Sequence, residues 1–255
     1  MHILAIIGSG RKHGNTWRAV QAIEKQLAAL DAALTFEYLY LSEQAVEPCL
    51  GCRACFDRGE ARCPRKDDLP MIAQKLLAAD GVIFATPSYV CSLSGYMKNL
   101  LDRLAYFCHR PAFHGKAALV VSTTASSTAK LTAYTVQLPL SAMGFTAMGN
   151  ACVVVGTADI VPVPAKALKT LDAAAKRLYS RLTGPKRYAP TIPGLTSFCM
   201  TRHYYATHAD ENSYDYQYFQ RMGWLSPKRR YYTDAKPPLY KVAIARVVAL
   251  LVRHT

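Results

Sequence analysis

Over its first 184 residues the chain alternates two kinds of segment, and that alternation leaves few folds open. His2–Ile7 is a short apolar run ended by Gly8-Ser9-Gly10, as a buried strand would be. From Asn15, which suits an N-cap, Trp17, Val20, Ile23, Leu27 and Leu30 recur at helical spacing. Leu34–Leu41 reads as a second strand, and Asp67 and Asp68 can cap a helix over Leu69–Ala79 with Pro70 in its first turn. Gly81–Thr86 is a third strand stopped by Pro87, followed by the helical stripe Met97, Leu100, Leu101 and Leu104. Lys116–Thr123 and Thr146–Gly156 read as strands on either side of a helix over Thr128–Met143 broken near Pro139, and Pro164–Leu182 is a final helix. Strands separated by helices imply an α/β, doubly wound parallel sheet with right-handed crossovers. Ligands of such sheets bind beyond the carboxyl ends of the strands, beside the topological switch point.

The chain has 255 residues, so about 70 remain after this unit. Apolar residues make up 51% and charged residues 19%, enough to bury a core and too apolar for a disordered chain. No apolar run reaches the roughly 20 residues that span a bilayer. The N-terminus MHILAIIGSG has neither a basic n-region nor a small-residue cleavage site, so a cytoplasmic location is expected. The net charge is +14, and residues 185–255 hold half of it, with 11 bases against 4 acids. These residues also carry 12 of the 26 aromatic side chains and end in an apolar helix over Leu239–His254 that includes Lys241, Arg246 and Arg253. The expected division is therefore a domain over 1–184 and an aromatic, basic extension over 185–255 that packs on the core or on a partner subunit. A basic amphipathic membrane helix fits less well, because its polar face is thin.

Three loops at one sheet edge have binding character. After the first strand, G8-S-G-R-K-H-G-N-T16 has neither the Gly-Lys-Ser/Thr ending of a P-loop nor a third glycine for the dinucleotide fingerprint. It does offer backbone N–H groups, the hydroxyls of Ser9 and Thr16, the amide of Asn15 and the dipole of the following helix to a phosphate, with Arg11 and Lys12 supplying charge. An ordinary strand-to-helix turn is the plainer alternative, and a phosphate-bearing ligand is the better reading. The loop T86-P-S-Y89 follows the third strand: Pro87 fixes the turn, Tyr89 can cover a planar ring, and Ser88 can bond the ring edge. S122-T-T-A-S126 ends the fourth strand. Together the three loops suit flavin mononucleotide, phosphate at the first and isoalloxazine against the others.

Between the second strand and its helix, Cys49, Cys52, Cys55 and Cys63 form C-x2-C-x2-C-x7-C within an insertion at 48–66. Zinc sites more often use two C-x2-C pairs with a long spacer, whereas the C-x2-C-x2-C run ending in Cys-Pro is used for 4Fe–4S clusters. A redox-sensing or disulfide pair uses the same thiols. Cys91 lies in the second loop, where it could touch a ring. Cys108, Cys152 and Cys199 read as packing residues, and His109 and His114 have no partners at metal-ligand spacing.

GSGRKHGNT, CLGCRAC with CPRKDDL, ATPSY and SGYMKNLLDR, in that order, resemble the NADPH-dependent FMN reductase superfamily, and within it most closely the iron–sulfur flavoproteins of the flavodoxin-like fold. The resemblance covers about residues 1–125, and the remaining sheet fits to about 183. It implies a five-stranded sheet of order 2-1-3-4-5. It implies FMN phosphate at Ser9, Arg11, Asn15 and Thr16, isoalloxazine at Thr86, Pro87, Ser88 and Tyr89, and a third contact at Thr123 and Thr124. It implies a cluster on Cys49, Cys52, Cys55 and Cys63 near a flavin at a subunit interface, in a homo-oligomer that is a dimer or a dimer of dimers. The chain departs from the family in having Ser9-Gly10-Arg11 where Ser-Pro-Arg is frequent, no glycine in TTASS, and a long x7 gap.

The expected function is that of an FMN-dependent oxidoreductase or electron-transfer flavoprotein, with no side-chain acid–base pair. NAD(P)H would supply hydride to reduce a quinone, a free flavin or another small acceptor, or a ferredoxin-like protein would supply electrons through the cluster. A different class of function, nucleic-acid or membrane binding by Lys228-Arg229-Arg230 among tyrosines through charge and stacking, would show an affinity that falls steeply with salt.

Overall fold

The computed structural model describes residues 1–156, 162–184, 189–208 and 210–252. Arg253 and His254, expected at the end of the last helix, lie outside the described residues. The elements in chain order are β1 (His2–Ile7), α1 (Asn15–Leu30), β2 (Thr35–Tyr40), α2 (Ala54–Asp57), α3 (Leu69–Ala78), β3 (Gly81–Tyr89), β4 (Ser92–Leu93), α4 (Gly95–Arg103) and α5 (Tyr106–His109). They continue with β5 (Ala117–Thr124), α6 (Ala129–Ala142), β6 (Ala147–Val154), α7 (Ala165–Thr183), α8 (Ile192–Thr207), α9 (Tyr214–Arg221) and α10 (Leu239–Val252).

The parallel strands run in the order β2-β1-β3-β5-β6, with β4 paired antiparallel to the end of β3. This is the flavodoxin-like order 2-1-3-4-5 expected from the sequence. The central strands read as unbroken apolar runs because helices cover both faces. Ile3, Ala5, Ile7, Ile83, Leu119 and Val121 share one core with α1 and α7, while Leu4, Ile6, Phe84 and Val120 share the other with α3, α4 and α6.

Two proline expectations are corrected. Pro87 does not stop β3, which continues to Tyr89. Pairing with β1 ends at Ala85, and beyond it Pro87 lies opposite Thr123 of β5 alone, so the proline sits where the strand has become an edge. Nor does Pro139 break the following helix; it lies inside α6 and omits one ladder bond, while its own carbonyl still accepts from the Met143 N–H at 2.9 Å. The first helix is also capped one residue earlier than expected, by Gly14 rather than Asn15.

Beyond α7, three further helices build a separate aromatic core from Phe198, Tyr205, Phe219, Trp224 and Tyr231. Thr191 caps α8 by accepting from the Gly194 N–H at 3.1 Å. Gly194 brings α8 against α6 so closely that an added Cβ would lie 2.6 Å from the Ser141 carbonyl oxygen. Trp224 and Tyr231, which a single-strand binder would present to bases, are buried in this core. Among the described residues no helix is long and apolar enough to cross a membrane.

Candidate functional site

The carboxyl ends of β1, β3 and β5 are tied together by a chain of buried hydroxyl groups. The Gly8 N–H donates to the Ala85 carbonyl at 2.7 Å. Ser94 donates its hydroxyl to the Gly8 carbonyl and accepts from the Met97 N–H at 3.2 Å, capping α4. Its own N–H donates to Thr86 Oγ1 at 3.0 Å. A Cβ on Gly8 would lie 3.1 Å from Met97 Cβ and 3.2 Å from Ser94 Oγ, so this turn has almost no room for a side chain. Between the first and third loops, the buried hydroxyls of Thr16 and Thr123 meet at 2.7 Å.

The expected flavin residues therefore divide. Ser9, Thr16, Thr86, Pro87, Thr123 and Thr124 are buried at this edge; Asn15 is partly exposed, and Arg11 and Tyr89 are exposed. Helix α1 starts with no described side chain capping it and no acid in its first turn, so its leading N–H groups remain available to an anion. Lys12 is drawn aside into an ion pair with Glu43. Ser88 bonds Thr128 at 2.7 Å and Thr132 at 2.8 Å, so its hydroxyl is committed to α6. Ser94 went unnoticed in the sequence, although a Ser-Gly pair opening a helical stripe is a cap signal.

Tyr89 and Ser92 pair across a two-residue hairpin loop whose residues, Val90 and Cys91, have φ of 47° and 63°. Such loops favour Asn-Gly, and a β-branched residue in the left-handed region is strained. Val90 is 97% exposed, so no packing offsets that strain. The double variant Val90→Asn/Cys91→Gly is expected to stabilise the protein by about 1 kcal/mol, raising Tm by about 2–4 °C. An unchanged or lower Tm in a thermal melt would refute the account.

The four insertion cysteines line one cavity with Arg53, Arg65, Leu69, Arg103 and Tyr106. Cys49 and Cys52 are exposed, whereas Cys55 and Cys63 are half-buried. Burial pushes the Cys55 thiol up to about 11, against the pull of Arg110 and with the help of Cys49 and Cys63. Among the described residues, no three His, Cys, Asp or Glu side chains converge closely enough to hold a metal ion.

The insertion is closed at its base. Ala45 and Asp68 exchange backbone and side-chain bonds, with Asp68 N–H to the Ala45 carbonyl at 2.9 Å and Ala45 N–H to Asp68 Oδ2 at 2.7 Å. Asp67 accepts from the Glu47 N–H at 2.9 Å and from the Leu69 N–H at 3.2 Å. The Arg103 guanidinium donates to both Asp67 oxygens and to the Glu47 carbonyl, and reaches Cys63 Sγ at 3.7 Å. Burial alone would raise the Asp67 carboxyl, but Arg103 and the two backbone donors outweigh it and hold the group below the usual carboxylate range.

With this fold and edge in place, the comparisons assign the class. The chain belongs to the NADPH-dependent FMN reductase family, whose profile matches residues 1–159. It is similar to an iron-sulfur flavoprotein of Archaeoglobus fulgidus, with 32% identity over 116 residues, 46% of this chain and 51% of the relative. An iron-sulfur flavoprotein of Methanocaldococcus jannaschii shares 35% over 103 residues, 40% of this chain and 51% of its own. The chain thus spans about half the length of the curated relatives it matches. Among solved structures, an apo NADH:FMN oxidoreductase superposes with a TM-score of 0.52 at 23% identity, covering 73% of this chain and 94% of its own, a likeness of fold.

Proposed function

We propose that the chain is an FMN-dependent oxidoreductase that accepts hydride from NAD(P)H and reduces a small acceptor such as a quinone or a free flavin. The observation that carries this reading is the edge joined by Thr16 and Thr123, set beside the uncapped start of α1 at the switch point of the sheet. The leading N–H groups of α1, with Ser9, Arg11, Asn15 and Thr16, would hold the FMN phosphate. Thr86, Pro87 and Tyr89 would face the ring, with Ser88 supporting them through α6 and Thr123 and Thr124 closing the third side. Bound FMN would supply the hydride and electron chemistry, and the chain's own residues would orient it and exclude water.

Four thiols on one cavity among arginines favour a second, competing reading in which NAD(P)H is not the donor. Cys49, Cys52, Cys55 and Cys63 would hold a 4Fe–4S cluster, and a ferredoxin-like protein would be the electron donor. Thiols are the donors such a group takes, and the neighbouring guanidiniums would balance its net negative charge; the four side chains would have to draw together to hold it, since as placed no three of them converge on one point. A homodimer or a dimer of dimers in the cytoplasm belongs to either reading.

The test is anaerobic purification with flavin, iron and sulfide counts, followed by NADPH. FMN that copurifies and bleaches promptly supports the reductase. Bound FMN that NADPH leaves oxidised for many minutes moves the donor to a ferredoxin-like protein, and no flavin after reconstitution rejects both.

A further inference from the structure

A buried carboxylate of the extension beyond α7 is linked to the cysteine insertion through Arg110. Asp215 on α9 is fully buried. One of its oxygens meets the Arg110 guanidinium; the other lies 2.7 Å from His109 Nδ1 and accepts from the Tyr205 hydroxyl at 3.0 Å. Arg110, itself 5% exposed, continues into the insertion: both terminal nitrogens donate to the Cys55 carbonyl at 3.2 Å, and Nη2 pairs with Glu60 at 2.6 Å. The guanidinium is caged by the rings of Tyr106, Tyr214 and Tyr218 at 5.5, 4.9 and 5.9 Å. His109 stacks on Phe56, next to Cys55, with ring centroids 4.2 Å apart. Tyr214 lies against Gly59, where an added Cβ would be 3.3 Å from its ring.

We propose that Asp215 is a positioning residue for the cysteine quartet: it fixes Arg110, which holds the Cys55 carbonyl and Glu60, so that the extension sets the shape of the thiol cavity. A guanidinium can grip a carbonyl and two carboxylates at once only if its plane is held, and a buried Arg needs a buried counter-charge to stay there. Glu60 is half-exposed and cannot serve alone. Tyr205, Tyr214, Asp215 and Tyr218 lie beyond the 1–159 matched by the family profile, whereas Arg110, His109 and the insertion lie within it. Its role toward a metal group rests on the reading of the four cysteines as cluster ligands; the mechanical clamp does not.

The experiment compares the full-length protein with Asp215→Asn and Tyr205→Phe. Amide hydrogen exchange is read over residues 53–60 and over β1 and β5, and iron is counted after anaerobic incubation with ferrous iron and sulfide. In Asp215→Asn, exchange over 53–60 should accelerate at least about tenfold while β1 and β5 keep their protection, and iron per chain should fall below about half of wild type. Tyr205→Phe should give a smaller acceleration in the same segment. Unchanged exchange over 53–60 in Asp215→Asn overturns the clamp, and accelerated exchange with undiminished iron overturns its positioning role. If wild type takes up no iron, the cluster reading fails while exchange still decides the clamp. If Asp215→Asn exposes β1 and β5 as well, Tyr205→Phe decides: acceleration confined to 53–60 upholds the clamp and none overturns it.

Discussion

Asp67→Asn is expected to lower the unfolding free energy by about 3–5 kcal/mol, because it leaves the Arg103 guanidinium charged, buried and unpaired. Both side chains of this pair are only 2% exposed. For a chain of this size the loss corresponds to a fall in Tm of about 10 °C. Arg103→Met should cost a similar amount by stranding the carboxylate, and the double variant Asp67→Leu/Arg103→Met should recover much of the loss, since an apolar pair has no charge to desolvate. The pH dependence carries the same signature. The folded Asp67 carboxyl lies below its ordinary value of 3.8, so the unfolded chain binds its proton first. The stabilisation is complete above that value and is lost as pH falls through the lower folded one. Denaturant melts of wild type between pH 5 and 2 should show this loss on top of that from other carboxylates, and Asp67→Asn should show a shallower slope below about pH 4. Equal slopes in the two proteins would contradict the assignment.

Thr16→Val should weaken FMN binding by about 10–100-fold, the range for losing a hydrogen bond to a charged group. The substitution keeps the shape of a side chain buried against β5 and removes only its hydroxyl. It also strands Thr123 Oγ1, whose 2.7 Å partner disappears, so the flavin-free protein should lose about 1 kcal/mol of stability. Quenching of FMN fluorescence on titration measures the affinity, and the same titration at rising salt separates the hydroxyl from charge. Arg11→Ala should give a smaller, salt-sensitive loss, because Arg11 is exposed. An unchanged affinity in Thr16→Val would move the phosphate away from the first loop.

The sheet was legible in the sequence because a strand buried on both faces is written as a short run of apolar residues with a turn at each end. The six residues of β1 follow that rule. Pro87 misled because a proline stop presumes a strand with two neighbours, and β1 has already ended there. The cysteine spacing and the three loops stood out because their residues are close in sequence. The groups that tie the site together do not share that property. Thr16 and Thr123 are 107 positions apart, and Arg110 and Asp215 are 105 apart. Such pairs leave no local period or motif; only the crossover connections and the docking of α9 bring them together. His109 illustrates the point, since it had no partner at ligand spacing and in the fold meets a carboxylate from the extension.

The closed base of the cysteine insertion has a consequence for how such a chain can change. Residues 45–47 and 67–68 are bonded to one another across the neck, and Arg103 locks them from α4, so the parent sheet is complete without the residues between. Loop length costs little once its ends are fixed. The insertion is thus a cassette: its length and composition can drift, or the whole segment be exchanged for a short turn, without disturbing the strand order. A domain built this way gains or loses a cysteine-lined cavity by editing one loop.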